Sequence, residues 1–225
     1  MCNRYVSPDQ AAIERYWHVG RQNPPQLWSQ QIHPRAPGPF IRSRDGAREL
    51  VVGQWALLPH FAKSSTLAYH TNNARSEEIT AKPTFRQPWV SGQRCIIPAE
   101  SFAEPCWESG CNVWWKFRRT DGTPWGLAGL WNTWINGETG EVIESYTMLT
   151  INADSHPLMS RMHKPDPTKS ADAQDKRSVV PIEMENVERW LNGDADSARR
   201  LLTLAAVEVF RAEPIQEEPR QASLL

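Results

Sequence analysis

Cys2 carries the least ordinary chemistry in the chain. If Met1 is removed, which the small side chain after it permits, residue 2 presents an α-amine and a thiol on adjacent carbons. The amine can attack an aldehyde to give an imine, and the thiol can then close onto the imine carbon as a five-membered thiazolidine. That closure is intramolecular, so the thiol acts at high effective concentration. Reference pKa values near 8 for the amine and about 8.5 for the thiol leave useful fractions of both nucleophiles at neutral pH. An internal cysteine lacks the free amine. The alternative reading of Cys2 is a small residue near a terminus.

Three other clusters could serve such chemistry. The polar run Asn72-Asn73-Ala74-Arg75-Ser76-Glu77 either orients hydrogen bonds and a guanidinium toward an anionic ligand or is a capped turn entering a helix. Glu104, set among Phe102, Pro105 and Trp107, is either a general acid and base whose pKa is raised by desolvation or an exposed loop carboxylate. His163, between Met162 and Lys164, is a candidate proton shuttle or phosphate contact, with His156 as its competitor nearby. Cys95, Cys106 and Cys111 are spaced by eleven and five residues, which fits no zinc pattern, so no metal and no cofactor are expected.

The elements that must position these residues read mostly as strands. Short apolar runs rich in β-branched and aromatic residues cover 50–58, 95–97, 113–117, 125–131, 142–151 and 179–182. The stretches 125–134 and 142–151 flank Asn136-Gly137-Glu138-Thr139-Gly140, which predicts a hairpin. Ser7-Pro8-Asp9-Gln10 predicts a helix of about three turns with Ser7 as its cap, leaving Met1 to Val6 as a separate segment that Tyr5 and Val6 anchor in the core. Residues 23–39 read as proline-rich coil, 185–191 and 196–204 as helices, and 207–210 as a last short strand. The polar stretch 164–177 is long for a connection inside a compact domain and reads as functional or mobile. The tryptophans clustered at 107, 114, 115, 125, 131 and 134 read as sheet packing or as a binding surface.

The four clusters, in this order, resemble the SOS response-associated peptidase (SRAP) family. The resemblance rests on Met1-Cys2-Asn3-Arg4-Tyr5, Asn73-Ala74-Arg75-Ser76-Glu77, Arg94-Cys95-Ile96-Ile97-Pro98-Ala99 with Glu104, and Arg161-Met162-His163, and it spans about residues 1 to 210. It implies a single α+β domain with a curved, barrel-like, mainly antiparallel β-sheet flanked by short helices. It also implies covalent capture of abasic sites in single-stranded DNA, with associated lyase and autopeptidase activity. Carried over, Cys2 would be the nucleophile, Asn73 would position the sugar or the amine, and Glu104 and His163 would move protons. Arg4 and Arg75 would hold phosphates, with Arg86, Arg161, Lys164 and Arg177 as further candidates. Phe61, in Trp55-Ala56-Leu57-Leu58-Pro59-His60-Phe61, would stack on a base. The chain departs from the family's usual pattern at Ala103 and Pro105, where an aromatic and a tryptophan are common, and in the 164–177 loop.

Composition agrees with one folded unit. With 225 residues, 40% hydrophobic and 23% charged, the chain reads as one domain over 1–212 with a mobile tail over 213–225. Its 25 Lys and Arg against 26 Asp and Glu give a net charge of -1, so DNA contact must come from a local basic patch. No apolar run approaches a membrane span and the first residues lack a secretory core, which predicts a monomeric cytoplasmic protein, nucleoid-associated in action, with reduced cysteines. The rival readings are a cysteine peptidase using Cys2 and His163, and a non-catalytic single-strand-binding module.

Overall fold

The computed structural model describes residues 1–19 and 28–215. Along the chain run β1 (Tyr5–Val6), α1 (Gln10–Trp17), β2 (Gln31–Ile32), β3 (Pro37–Arg44), β4 (Ala47–Trp55), β5 (Asn73–Arg75) and α2 (Pro83–Val90). The middle of the chain is β6 (Arg94–Ala99), β7 (Ser101–Cys106), β8 (Val113–Arg119), β9 (Trp125–Ile135) and β10 (Val142–Asn152). It ends with β11 (Arg177–Val179), α3 (Val187–Asn192), α4 (Ala195–Arg199) and β12 (Phe210–Pro214). Among the described residues no helix is long and apolar enough to cross a membrane.

Five strands close on themselves: β10 pairs β4, β4 pairs β3, β3 pairs β6, β6 pairs β9, and β9 returns to β10. All these pairings are antiparallel except β4 with β10. Local chemistry fixes the hairpins. Asp45 and Gly46, both at positive φ (51° and 79°), form the two-residue turn between β3 and β4, and the Asn136 side chain accepts the Glu138 and Thr139 N–H groups between β9 and β10. Short β11 and β5 add to β10, antiparallel and parallel respectively. A second sheet, ordered β12, β8, β7, β1, β2, lies against this barrel. Phe102 stacks on Phe117 at 5.1 Å and meets Trp125 edge-on at 5.8 Å, which ties the second sheet to β9 of the barrel. The fold is therefore the α+β, barrel-like architecture that the family resemblance implies.

Several local expectations are corrected. The cap of α1 is Asp9, whose carboxylate accepts Ala12 N–H at 2.7 Å; Ser7 instead accepts Trp28 Nε1 and is tied through its own N–H to Gln30. Residues 23–27 of the expected coil lie outside the described residues, but Pro37 and Pro39 belong to β3. They are tolerated because β3 pairs β4 along its length and meets β6 only at Ile41, so the missing N–H groups fall where one side has no partner. Residues 101–106, read as a loop, are strand β7, and 73–75, read as a turn, are strand β5. The helix expected over 196–204 ends at Arg199, and 207–209 is a 3-10 turn that precedes β12. β12 also takes in Glu213 and Pro214, so the expected tail boundary falls within a strand that Glu213 helps fasten to Lys116. The remainder of that tail, 216–225, lies outside the described residues.

Candidate active site

The site forms where the chain's first residues run alongside β7. Only Glu100 separates β6 from β7, so the chain leaves the barrel and enters the second sheet with no intervening loop. β1 then pairs β7 with Tyr5 opposite Phe102, and the pairing continues as Ala103 N–H donates to the Arg4 carbonyl at 3.0 Å. Side chains alternate along a strand, so Phe102, Glu104 and Cys106 share the buried face of β7. That face receives Cys2.

Cys2 is fully buried, with its Sγ 3.5 Å from the Arg4 carbonyl. Its own carbonyl accepts Asn73 Nδ2 at 2.7 Å and Asn72 Nδ2 at 3.3 Å. Asn73 opens β5, whose parallel pairing with β10 fixes its direction. Burial pushes the Cys2 thiol well above the ordinary range, and the Glu104 carboxylate adds to the shift. The thiol in this closed site is therefore protonated at neutral pH.

Glu104 is 1% exposed, and its Oε2 lies 2.8 Å from His163 Nε2 and 3.9 Å from the Met1 amino nitrogen. His163 sits just past a 3-10 turn (Met159–Arg161), at a left-handed φ of 64°, and its N–H donates to the Pro105 carbonyl at 2.6 Å. Met162 bridges to Cys106, which completes the docking of this segment onto β7. Two buried polar atoms, Asn73 Oδ1 and His163 Nδ1, have no hydrogen-bond partner. Such atoms are costly to bury unless something binds them, and both residues are tied to this site, Asn73 through the Cys2 carbonyl and His163 through Glu104.

The four expected catalytic residues are thus brought together. His156 is not part of the site: its Nδ1 accepts the Leu158 and Met159 N–H groups and its Nε2 meets the Ala205 carbonyl. Sequence reasoning named Asn72 only within the polar run, with no role of its own, and missed Lys176, whose Nζ donates to the Met162 and His163 carbonyls at 2.7 and 2.6 Å.

The expected DNA contacts divide. Arg4 lies over Trp114, Arg161 over Trp115 and Lys164 over Trp107, so three cations rim the site on the indoles of the β7–β8 hairpin. Arg161 also forms a two-pronged pair with Glu108, both contacts 2.7 Å, and Arg75 pairs with Asp175 and, at 3.3 Å, with Glu78. Phe61, 48% exposed, and Arg86 share a groove of about 400 Å³ with His60, Pro83 and Val90. Arg177, expected at the DNA surface, is instead buried, with its guanidinium on Glu77, Asp175 and the Thr150 carbonyl, where it braces β10 and β11. The tryptophan cluster divides likewise, with Trp125 and Trp134 buried and Trp107, Trp114 and Trp115 at the rim. Among the described residues no group of three or more His, Cys, Asp or Glu side chains could hold a metal ion.

The sequence model described as SOS response associated peptidase (SRAP) matches residues 1–219. Abasic site processing protein YoaM of Bacillus subtilis (strain 168) is 30% identical over 224 residues, covering 96% of this chain and 89% of its own. Abasic site processing protein HMCES of Xenopus tropicalis is 25% identical over 200 residues, covering 78% of this chain and 55% of its own. A Bordetella bronchiseptica protein of known crystal structure superposes with a TM-score of 0.84 at 34% identity, covering 96% of this chain and all of its own. With a match that takes in nearly every residue, and with Asn73 on the Cys2 carbonyl and His163 on Glu104 beside the chain's amino end, this chain belongs to the SOS response associated peptidase (SRAP) family.

Proposed function

We propose that the chain processes abasic sites in single-stranded DNA by capturing the ring-opened sugar on Cys2 after Met1 has been removed. The observation that carries this reading is the meeting of the amino end of the chain with Glu104, 3.9 Å from Met1 N, where the same carboxylate also acts on the buried Cys2 thiol. The names of the relatives YoaM and HMCES, both called abasic site processing proteins, support the choice of substrate.

The chemistry follows from the environment of each group. Loss of Met1 moves the α-amine to Cys2, still beside the Glu104–His163 pair. The amine adds to the sugar aldehyde; the pair takes the proton that nitrogen gives up and delivers one to the departing hydroxyl, so that water leaves and an imine remains. The thiol, kept protonated by burial, then adds across the imine. Sulfur bonds to carbon, its proton ends on nitrogen, and one water is lost overall. Asn73 fixes the Cys2 carbonyl through Nδ2 and offers Oδ1 to the amine or a sugar hydroxyl. Arg4, Arg75 and Arg161 would hold flanking phosphates, while Phe61 with Arg86 would take an unstacked base and its phosphate.

A thiol peptidase built on Cys2 and His163 is less well supported, because its imidazole should face the sulfur. Here Nε2 faces Glu104 and Sγ faces the Arg4 carbonyl. The test is to incubate the protein with a single-stranded oligonucleotide carrying an abasic site. A species surviving denaturation should form, mass spectrometry should place the bond on residue 2 of a chain lacking Met1, and Cys2→Ala should abolish it. An equally stable adduct in Cys2→Ala would overturn the reading.

A further inference from the structure

Lys176 plays no part in the chemistry above, yet it is 6% exposed and its ammonium lies against the backbone next to the site. Its Nζ donates to the carbonyls of Met162 and His163, fourteen and thirteen residues back along the chain. It therefore fastens the point where the 164–177 loop leaves the site to the strand where that loop returns. Lys176 is itself firmly set. Its N–H and that of Asp175 donate to the two oxygens of Asp154 at 2.8 and 3.0 Å, and its carbonyl accepts Ala153 N–H at 2.7 Å.

What the ammonium holds is the one strained residue of the site. A histidine at φ 64° occupies the left-handed region, which disfavours residues with a side chain, and it stays there only if its neighbours over-determine it. His163 is held at three points: its N–H on the Pro105 carbonyl, its carbonyl on Lys176 Nζ, and its Nε2 on Glu104. The first two set the backbone, and the third is the contact that the chemistry uses. A buried ammonium is an unusual choice for holding two carbonyls, since burial lowers the pKa of Lys176 while Asp154 opposes that fall.

We propose that Lys176 is a positioning residue, whose ammonium holds the Met162 and His163 carbonyls and so keeps the His163 imidazole on Glu104. The role in turnover rests on the function proposed above, but the hydrogen bond it controls exists in the protein without DNA. The decisive variant is Lys176→Met, which keeps an unbranched stem and loses the donors. In protein labelled with 15N at histidine, the ring nitrogen shifts of His163 should report Nε2 bonded to Glu104 in the wild type. In Lys176→Met they should move toward those of a free imidazole. Crosslink formation or reversal should slow roughly 10- to 100-fold, the scale of a misplaced catalytic group, while binding of an undamaged oligonucleotide stays unchanged. In a His163→Ala background, Lys176→Met should slow the reaction no further, and Lys176→Arg, which keeps charge and donors, should recover much of the loss.

Unchanged ring shifts, unchanged rates, or a slowing that persists in full in the His163→Ala background would each overturn the proposal. A wild type that forms no crosslink removes covalent capture, and the ring shifts then decide the role of Lys176 alone. If Lys176→Met does not fold, Lys176→Gln, whose shorter amide cannot reach both carbonyls, is read by the same measures with the same overturning results.

Discussion

At the scale of single residues, much of the site is placed by contacts to the main chain. Asn73 does not need to touch substrate to matter, because its Nδ2 fixes the Cys2 carbonyl and with it the direction of the amine that Met1 removal would expose. Asn73→Ala leaves that carbonyl to the longer Asn72 contact. It should cost about 0.5–1.5 kcal/mol in urea unfolding and should slow crosslinking roughly tenfold or more; an unchanged rate would show that the carbonyl needs no fixing. His163 shares one carboxylate oxygen with the chain's amino end. Releasing a thiazolidine requires a proton to be supplied to the ring before sulfur can leave, whereas in ring closure the thiol brings its own proton to the nitrogen. His163→Ala should therefore slow release more than formation, which a strand-exchange chase after crosslinking would measure.

At the scale of elements, the strands of the barrel are packed with almost no slack, and Gly129 records how close they come. A Cβ built on Gly129 of β9 would lie 2.7 Å from the Thr147 carbonyl and 2.8 Å from Cys95 Sγ. Gly129→Ala should destabilise the fold by about 1–3 kcal/mol, as overpacking does; thermal melts would reveal it, and no change would mean that β9 and β10 can separate locally. The β7–β8 hairpin sets the electrostatics of the rim. Arg161 is engaged by Glu108, and this pairing lowers the Glu108 pKa. A phosphate must displace that carboxylate to use both guanidinium prongs. Glu108→Gln should thus tighten binding of an undamaged single strand at low salt. The salt dependence should steepen by about 0.7 in log K per log salt if one more phosphate is engaged. Titrations at several salt concentrations would detect both effects, and an unchanged slope would place Arg161 outside the strand's path.

At the scale of the whole molecule, the core contains ionisable groups that the fold keeps neutral. Burial pushes the thiols of Cys2 and Cys95 up, and likewise the hydroxyls of Tyr5 and Tyr146, whose oxygens lie 2.5 Å apart. Above about pH 8.5 an unfolded chain releases thiol protons that the folded chain retains. The unfolded state then binds fewer protons, so stability falls as pH rises, with a slope approaching about 1.4 kcal/mol per pH unit for each buried thiol. Urea midpoints measured from about pH 8 to about pH 10 should show this fall, and Cys95→Ala should make it shallower; equal slopes would assign the loss to other groups. A net charge of -1 agrees with a site whose cations are confined to one rim.

The amino-acid order alone showed the strand-rich pattern and the β9–β10 hairpin, because period-two apolarity and turn chemistry are local properties, and it offered Cys2, Asn73, Glu104 and His163 as candidates whose roles the family resemblance implied. It misread 37–39 as coil because proline discourages strands wherever both edges are paired, and only the barrel shows that this end of β3 has one free side. It took Glu104 for a loop residue because six residues containing a proline and an alanine signal a strand weakly, and β7 exists through its pairing with β1 and β8. Arg177 read like any basic residue next to a candidate site until tertiary contacts turned it onto Glu77 and Asp175. Which atoms of Asn73, Glu104 and His163 meet which partners was decided only by folding. Those contacts join residues some sixty to seventy positions apart along the chain, and no local rule of sequence sets a distance between them.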